Sequence, residues 1–339
     1  MKIIGLIKKN KKPFIVAGLY TAALAAASLL VSLGVIKNYI AGILITAGIY
    51  IILAVSLNVA TGYLGQLPLG HAGFMAVGAY ASGILLKALP TEHPAAFFPL
   101  TLIFGGIVAA LFGLVIGIPA LRLRGDYLAI ITLGFGEIIR ILIINIDSVI
   151  GRELTCGSKN LDNIPKTTTF FGTYLVVGLV CLAIYNMMHS RHGRAILAVR
   201  DNEIAAESCG ISLTFYKTFG FTVSAFFAGI AGGLYASYFG LLNPEKFGFM
   251  QSIEILVMVV LGGVGSMFGS ALAAAILTIL PQVLIFLDDY RMLVYSLLLI
   301  LVMVYNYAPV FEPLRERFSF AVLAGKFRGK KPSGEEERA

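Results

Sequence analysis

The sequence predicts an all-α, polytopic membrane protein with about 8–10 transmembrane helices, including one broken or re-entrant segment. Three observations carry this. Charged residues make up only 13% of the chain, against about a quarter in a soluble domain. Mean hydropathy is +0.88, and apolar runs long enough to cross a bilayer, about 20 residues, recur along its length. Between some of these runs lie short stretches of Gly, Pro and polar residues that stop a helix inside an apolar context.

The elements follow in order. Residues 1–12 form a basic N-terminus with Lys2, Lys8, Lys9, Lys11 and Lys12. Phe14–Ile36 then gives 23 apolar or small residues, longer than the apolar core of a signal peptide, so it reads as a retained first helix. Tyr39–Ala60 is the second span. The stretch Gly62–Gly73 (GYLGQLPLGHAG) breaks it, and a third span runs on to about Leu86. Broken backbone at membrane depth is tolerated only where protein or a water-filled cavity surrounds it. Phe97–Leu121 is the fourth span and Tyr127–Ile146 the fifth, with Glu137 and Arg140 three apart on one helical face. A polar loop, Asp147–Thr169, leads to a sixth span at Phe171–Met188 and, after a charged run, a seventh at Phe215–Phe239. Ile253–Leu261 is a short apolar helix stopped by Gly262, Gly263 and Gly265, then resumed as Met267–Leu287. Met292–Ala308 is the last span. The organisation is a transmembrane domain over 13–309, with a charged loop at 190–212, followed by a basic tail at 310–339.

The charged run Arg191–Ile211 must lie in water. Its interior has a helical pattern, with Ile196, Val199 and Ala206 recurring on one face and Asp201 placed to cap a turn beginning near Glu203. Such a segment is either an ordinary solvated loop or an amphipathic element for docking onto a partner.

Charge fixes an orientation. With the N-terminus cytoplasmic and every segment crossing, eighteen of the 26 Lys and Arg fall on the cytoplasmic side and seven on the other, Arg140 lying within a span. This fits the positive-inside rule, puts Arg191–Ile211 and both termini in the cytoplasm, and favours counting Ile253–Leu261 as a crossing.

Several function classes drop out. Net charge is +8, but the basic residues sit in short segments beside apolar runs, so no nucleic-acid partner is expected; the lipid membrane is the partner. Cys156, Cys181 and Cys209 are scattered, and His71, His93, His189 and His192 form no HExxH, so no metal site is expected. No GxxxxGK[ST] occurs, so Gly262, Gly263 and Gly265 are read as a hinge or tight-packing site and not as a phosphate cradle. No catalytic constellation is visible. An ion-coupled secondary transporter would show internal repeats and a midplane acidic site; the only candidate acids are Glu137 and Glu254.

Four stretches together resemble the LivM-type permease family, the membrane subunits of branched-chain amino acid ABC importers. They are Gly62–Gly73, Leu121–Arg140 (LRLRGDYLAIITLGFGEIIR), Gly193–Ile211 (GRAILAVRDNEIAAESCGI) and Ser252–Gly265 (SIEILVMVVLGGVG). The similarity runs from about Tyr39 to about Val304. The resemblance implies a multi-pass, non-enzymatic subunit of a bacterial or archaeal cytoplasmic (inner) membrane. It would pair with a second related permease subunit, two ATP-binding subunits and an extracytoplasmic substrate-binding protein. It would hold no cofactor itself, ATP being bound by the partner ATPase subunits. The substrate implied is Leu, Ile or Val, with urea, other amides or other amino acids as the alternative.

By the same resemblance, Arg191–Ile211 corresponds to the loop that seats on the ATPase, with Gly193, Arg194, Arg200, Asp201, Glu203, Ala205, Ala206, Glu207 and Gly210 as its residues. The general importer pattern has Glu-Ala-Ala followed by Gly; here Ala205, Ala206 and Gly210 align, while Ile204 occupies the Glu place and Glu203 lies one residue earlier. Gln66, Pro68 and His71 either line the translocation path or supply partners for freed backbone groups. Glu137 and Arg140 either form a buried pair or face a zwitterionic substrate. Glu254 either favours the dipole at a helix start or acts in gating.

Overall fold

The computed structural model describes residues 37–89, 94–123, 125–150, 155, 160–285 and 290–307. It divides into two units, Met1–Gln282 and Val283–Ala339. The first holds α1 (Asn38–Asn58), α2 (His71–Ala88), α3 (Pro94–Ala120), α4 (Asp126–Ile150), α5 (Phe170–His189), two short helices α6 (Arg191–Asp201) and α7 (Glu203–Ser208), then α8 (Leu213–Phe239), α9 (Phe249–Gly262) and most of α10 (Met267–Val283). In the second lies α11 (Arg291–Tyr307), a 17-residue apolar helix. The predicted first span, the basic N-terminus and the tail lie outside the described residues.

Among the described residues, five helices are long and apolar enough to cross a membrane: Asn38–Tyr63, Phe97–Ala120, Asp126–Ser148, Phe170–His189 and Leu213–Phe239. They coincide with the second, fourth, fifth, sixth and seventh predicted spans. The third is α2, an 18-residue helix buried along most of its length.

Helix α8 is the hub, packed most extensively on α3, α2 and α1. Lipid is as apolar as leucine, so helices gain little by hiding apolar surface from it and hold together through close van der Waals contact at small residues. A Cβ on Gly78 of α2 would collide with the backbone of Gly229 on α8, and one on Gly229 would press into Ala109 and Gly105 of α3. The three backbones therefore meet at a glycine-lined junction. The outward faces of α3, α4 and α5 stay apolar and exposed, as at Val115, Ile130 and Leu179.

Three hydrogen bonds tie α9, the break after it and α10 to α1. Gln251 Nε2, in the first turn of α9, donates to the Tyr50 hydroxyl at 3.0 Å. After the glycine break, Gly265 N–H donates to Asn58 Oδ1 at 2.8 Å. So α9 accompanies only the Tyr50–Asn58 half of α1. Helix α10 then returns the full length, ending where the Tyr39 hydroxyl donates to Gln282 Oε1 at 2.8 Å.

Candidate functional site

Three interruptions, far apart in sequence, meet at the Asn58 end of α1. The first follows α1 itself. The helix widens into a π turn at Val59–Tyr63, where Leu64 N–H reaches back to Val59 O and Gln66 N–H to Ala60 O. The chain then runs irregularly to Gly70. The second is the break between α9 and α10, where Gly263 (φ 93°) and Gly265 (φ 86°) take left-handed conformations that suit glycine. Gly262 is needed for a different reason: a Cβ there would run into Gly269 and Ser270, so it lets α9 and α10 pack closely. The third is the charged run.

That run is two helices where the sequence pattern suggested one. Ser190 caps α6, its hydroxyl accepting from Gly193 N–H at 3.3 Å. Asn202, with an extended backbone, breaks the run and caps α7 through Ala205 N–H at 3.0 Å. Asp201, expected as the cap, is instead the last residue of α6 and faces solvent. Asn wins because its neighbour's backbone stays helical while its own does not, and a cap residue must leave the helical region. Helix α7 ends in a left-handed residue, Gly210 (φ 81°). Ile211 N–H donates to Ala206 O at 3.0 Å and Gly210 N–H to Glu207 O at 2.9 Å, the two-bond glycine stop known as a Schellman motif.

The predicted stripe holds despite the break: Ile196, Val199 and Ala206 are all buried. Around it, the site residues divide by direction. Gly193 is buried, a Cβ there being excluded by Met188. Glu203 turns inward and takes a 2.6 Å hydrogen bond from Lys217 of α8, whose side chain is 7% exposed. Arg194, Asp201, Ala205, Glu207 and Gly210 face outward, as does Ile204, which is 76% exposed. A large apolar side chain so exposed on a short helix is free to make a further contact.

Arg200 belongs to both sides. Its Nε and Nη2 donate to Asp201 Oδ1 at 3.0 and 2.8 Å, while Nη1 donates to the Gly62 carbonyl at 3.1 Å. That carbonyl ends the π turn, where the widened helix leaves its last carbonyls without partners further along the chain, and a cation there complements the helix dipole.

The remaining candidates are mostly accounted for by neighbours. His71, 1% exposed, meets Ser56 Oγ at 3.0 Å. The Ser56 hydroxyl donates to Leu53 O at 2.9 Å, which leaves His71 Nε2 as the donor. The start of α2 has no cap of its own; Ala72 N–H donates to Ser252 Oγ of α9 at 3.1 Å, and Leu69 N–H to Thr132 Oγ1 of α4 at 3.0 Å. Pro68 is buried beside them. Gln66 is 8% exposed with Oε1 unpaired among the described residues. Glu137 and Arg140 form the pair their spacing suggested, at 2.7 Å. Glu137 also accepts from Phe249 N–H at 3.2 Å, so α4 caps α9, whose own cap position is Gly248. Glu254 is the sixth residue of α9, past the first turn, so the dipole account does not hold for it; its only hydrogen bond among the described residues is from Gln251 at 3.3 Å. Asn58, Ser56, Thr132, Ser252 and Lys217 were not singled out from sequence. Their signal was faint: each is one polar residue within an apolar run.

A family model described as the permease component of branched-chain amino acid transport systems matches residues 39–303. The high-affinity branched-chain amino acid transport system permease protein LivM of Salmonella typhimurium is 39% identical over 292 residues, covering 76% of this chain and 66% of that protein. LivM of Escherichia coli is 38% identical over the same length, with the same coverage. The chain thus spans just under two thirds of those relatives. The permease protein LivH of Salmonella typhimurium is 25% identical over 244 residues, covering 67% of this chain and 79% of that protein. No solved structure matches significantly. With the match running through every element from α1 to α11, the chain belongs to the family of permease components of branched-chain amino acid transport systems.

Proposed function

We propose that this chain is the membrane-spanning permease subunit of an ATP-driven importer that moves Leu, Ile and Val across the cytoplasmic membrane by alternating access. ATP is hydrolysed by two separate subunits that dock on the outward face of α6 and α7, around Ile204 and Ala205. A second, related permease subunit completes the pathway, and an extracytoplasmic binding protein delivers substrate. The observation that carries this reading is the family match over residues 39–303. The exposed Ile204 supports the docking face, and the likeness to LivH supports a partner of the same ancestry. The bias of Lys and Arg toward the α6–α7 side supports a cytoplasmic location for that face and for both termini. Within the bundle, Gln66 and Glu254 remain the path candidates, because Pro68, His71, Glu137 and Arg140 have neighbours that explain them.

The test is uptake of radiolabelled leucine in cells lacking their own branched-chain carriers. Uptake only when this chain is expressed with the second permease, the ATP-binding subunits and the binding protein supports the reading. Uptake by this chain alone overturns it in favour of a self-contained carrier, and uptake of labelled urea or of other amino acids in place of leucine overturns the substrate class.

A further inference from the structure

We infer that Arg200 is the positioning residue that carries movement of the docking helices into the pathway, by holding α6 to the break after α1. The inference rests on the importer reading above and goes beyond it by naming the connection.

Three independent features meet at this side chain. Its guanidinium donates to the Gly62 carbonyl at 3.1 Å, across 138 residues of sequence. Its stem lies against Gly65, where a Cβ would come within 2.8 Å of Arg200 Cγ; Gly65 also has φ 72°, so this position is glycine both for its backbone and for the room it leaves Arg200. Finally, Nη1 lies 3.8 Å from where a Cβ on Gly265 would stand, and Gly265 is itself bonded to Asn58 at 2.8 Å. One cation therefore touches the π turn and the irregular stretch after it, and lies beside the α9–α10 break.

The other contacts of the docking helices behave differently. Glu203–Lys217 fastens α7 to the second turn of α8, a regular helix. Ile196 and Val199 are buried apolar side chains, whose contacts are non-directional. Among the described residues of α6, Arg200 alone has a side-chain hydrogen bond to a segment distant in sequence, and that segment's backbone is not a regular α-helix; irregular backbone is where a helix can change angle at small cost. Asp201 keeps the guanidinium aimed: with Nε and Nη2 taken by its carboxylate, Nη1 is left for Gly62.

The experiment uses the assembled importer in vesicles and reads three quantities: recovery of the ATP-binding subunits, ATP hydrolysis and leucine uptake. For Arg200→Ala the expected result is normal recovery, retained hydrolysis and uptake lower by about tenfold, with Arg200→Lys between the two. A second variant keeps the idea falsifiable should Arg200→Ala fold poorly. Arg200→Met keeps an apolar stem against Gly65 and removes the donors to Gly62 O and Asp201, and is expected to lower uptake as far as Arg200→Ala does, with recovery and hydrolysis retained. Uptake by either variant within about twofold of wild type overturns the inference. So does a parallel fall in recovery, hydrolysis and uptake. Failure of the importer reading has a different mark: the unaltered chain itself would recover no ATP-binding subunit, and the inference would fall with it.

Discussion

Lys217 on α8 donates to Glu203 on α7 at 2.6 Å, and the lysine side chain is 7% exposed while the glutamate is 29% exposed. The pair is asymmetric. Removing the glutamate strands a cation on a side chain that is almost fully buried, whereas removing the lysine leaves an anion on the more exposed side chain of the two. Glu203→Ala should therefore destabilise more than Lys217→Met, by about 1–2 kcal/mol after discounting for the glutamate's exposure. The double variant should lose less than the sum of the two. Thermal unfolding in detergent of the four proteins gives the cycle; additive losses would mean the contact contributes nothing.

Docking separates from folding at two residues of α7, two positions apart. Ile204 is 76% exposed and Ala206 4%. Ile204→Glu should leave thermal stability unchanged and reduce recovery of the ATP-binding subunits by at least about tenfold, as expected for a central apolar anchor. Ala206→Glu should instead lower stability, because the new carboxylate stands at a position only 4% exposed. Equal behaviour of the two variants in both assays would remove the outward face as the docking surface.

Glu137 has two oxygens in two uses, one on Arg140 and one on Phe249 N–H. Glu137→Gln keeps an acceptor for α9, while Glu137→Ala keeps none. The alanine variant should unfold at a lower temperature, with a loss of about 1–2 kcal/mol typical of a helix cap, and the glutamine variant should lie between it and wild type. An alanine variant as stable as the parent would mean that α9 starts without help from α4.

The glycine junction supplies a controlled comparison. Gly78→Ala meets the Gly229 backbone, whereas at Gly134 of α4 nothing lies within 4 Å of an added Cβ. Gly78→Ala should cut the yield of monodisperse protein severely, since neither backbone can give way. Gly134→Ala should be neutral or stabilising, alanine being the better helix former by about 1 kcal/mol. Size-exclusion profiles after membrane extraction distinguish them.

The spans and the breaks were legible in the sequence, because hydropathy and glycine-proline punctuation are local properties. Tyr39–Ala60, Gly62–Gly73 and Gly262–Gly265 fall where the pattern put them. What holds the breaks was not legible. Ser252 serves Ala72 across 180 residues, and Asn58 serves Gly265 across 207. A single serine or asparagine in an apolar run carries no mark of which distant backbone group it serves. The inward turn of Glu203 was hidden for a similar reason: its partner Lys217 looks from sequence like one more cytoplasmic cation. Asp201 misled because Asp and Asn are equally good caps, and only the backbone at position 202 decides between neighbours.

The staples that close the bundle also impose an order on its birth. Helices emerge from the ribosome from the N-terminus onward. The end of α1 and the start of α2 are made early, yet the groups that satisfy them arrive with α6, α9 and the loop at Gly265. Until then Gly62 O lacks its arginine, Ala72 N–H lacks Ser252 and Asn58 Oδ1 lacks the Gly265 N–H it accepts from. The break after α1 is therefore the first part of the bundle to be made and among the last to be closed: a chain that stops before Gly265 holds the two helices but not the groups that join them.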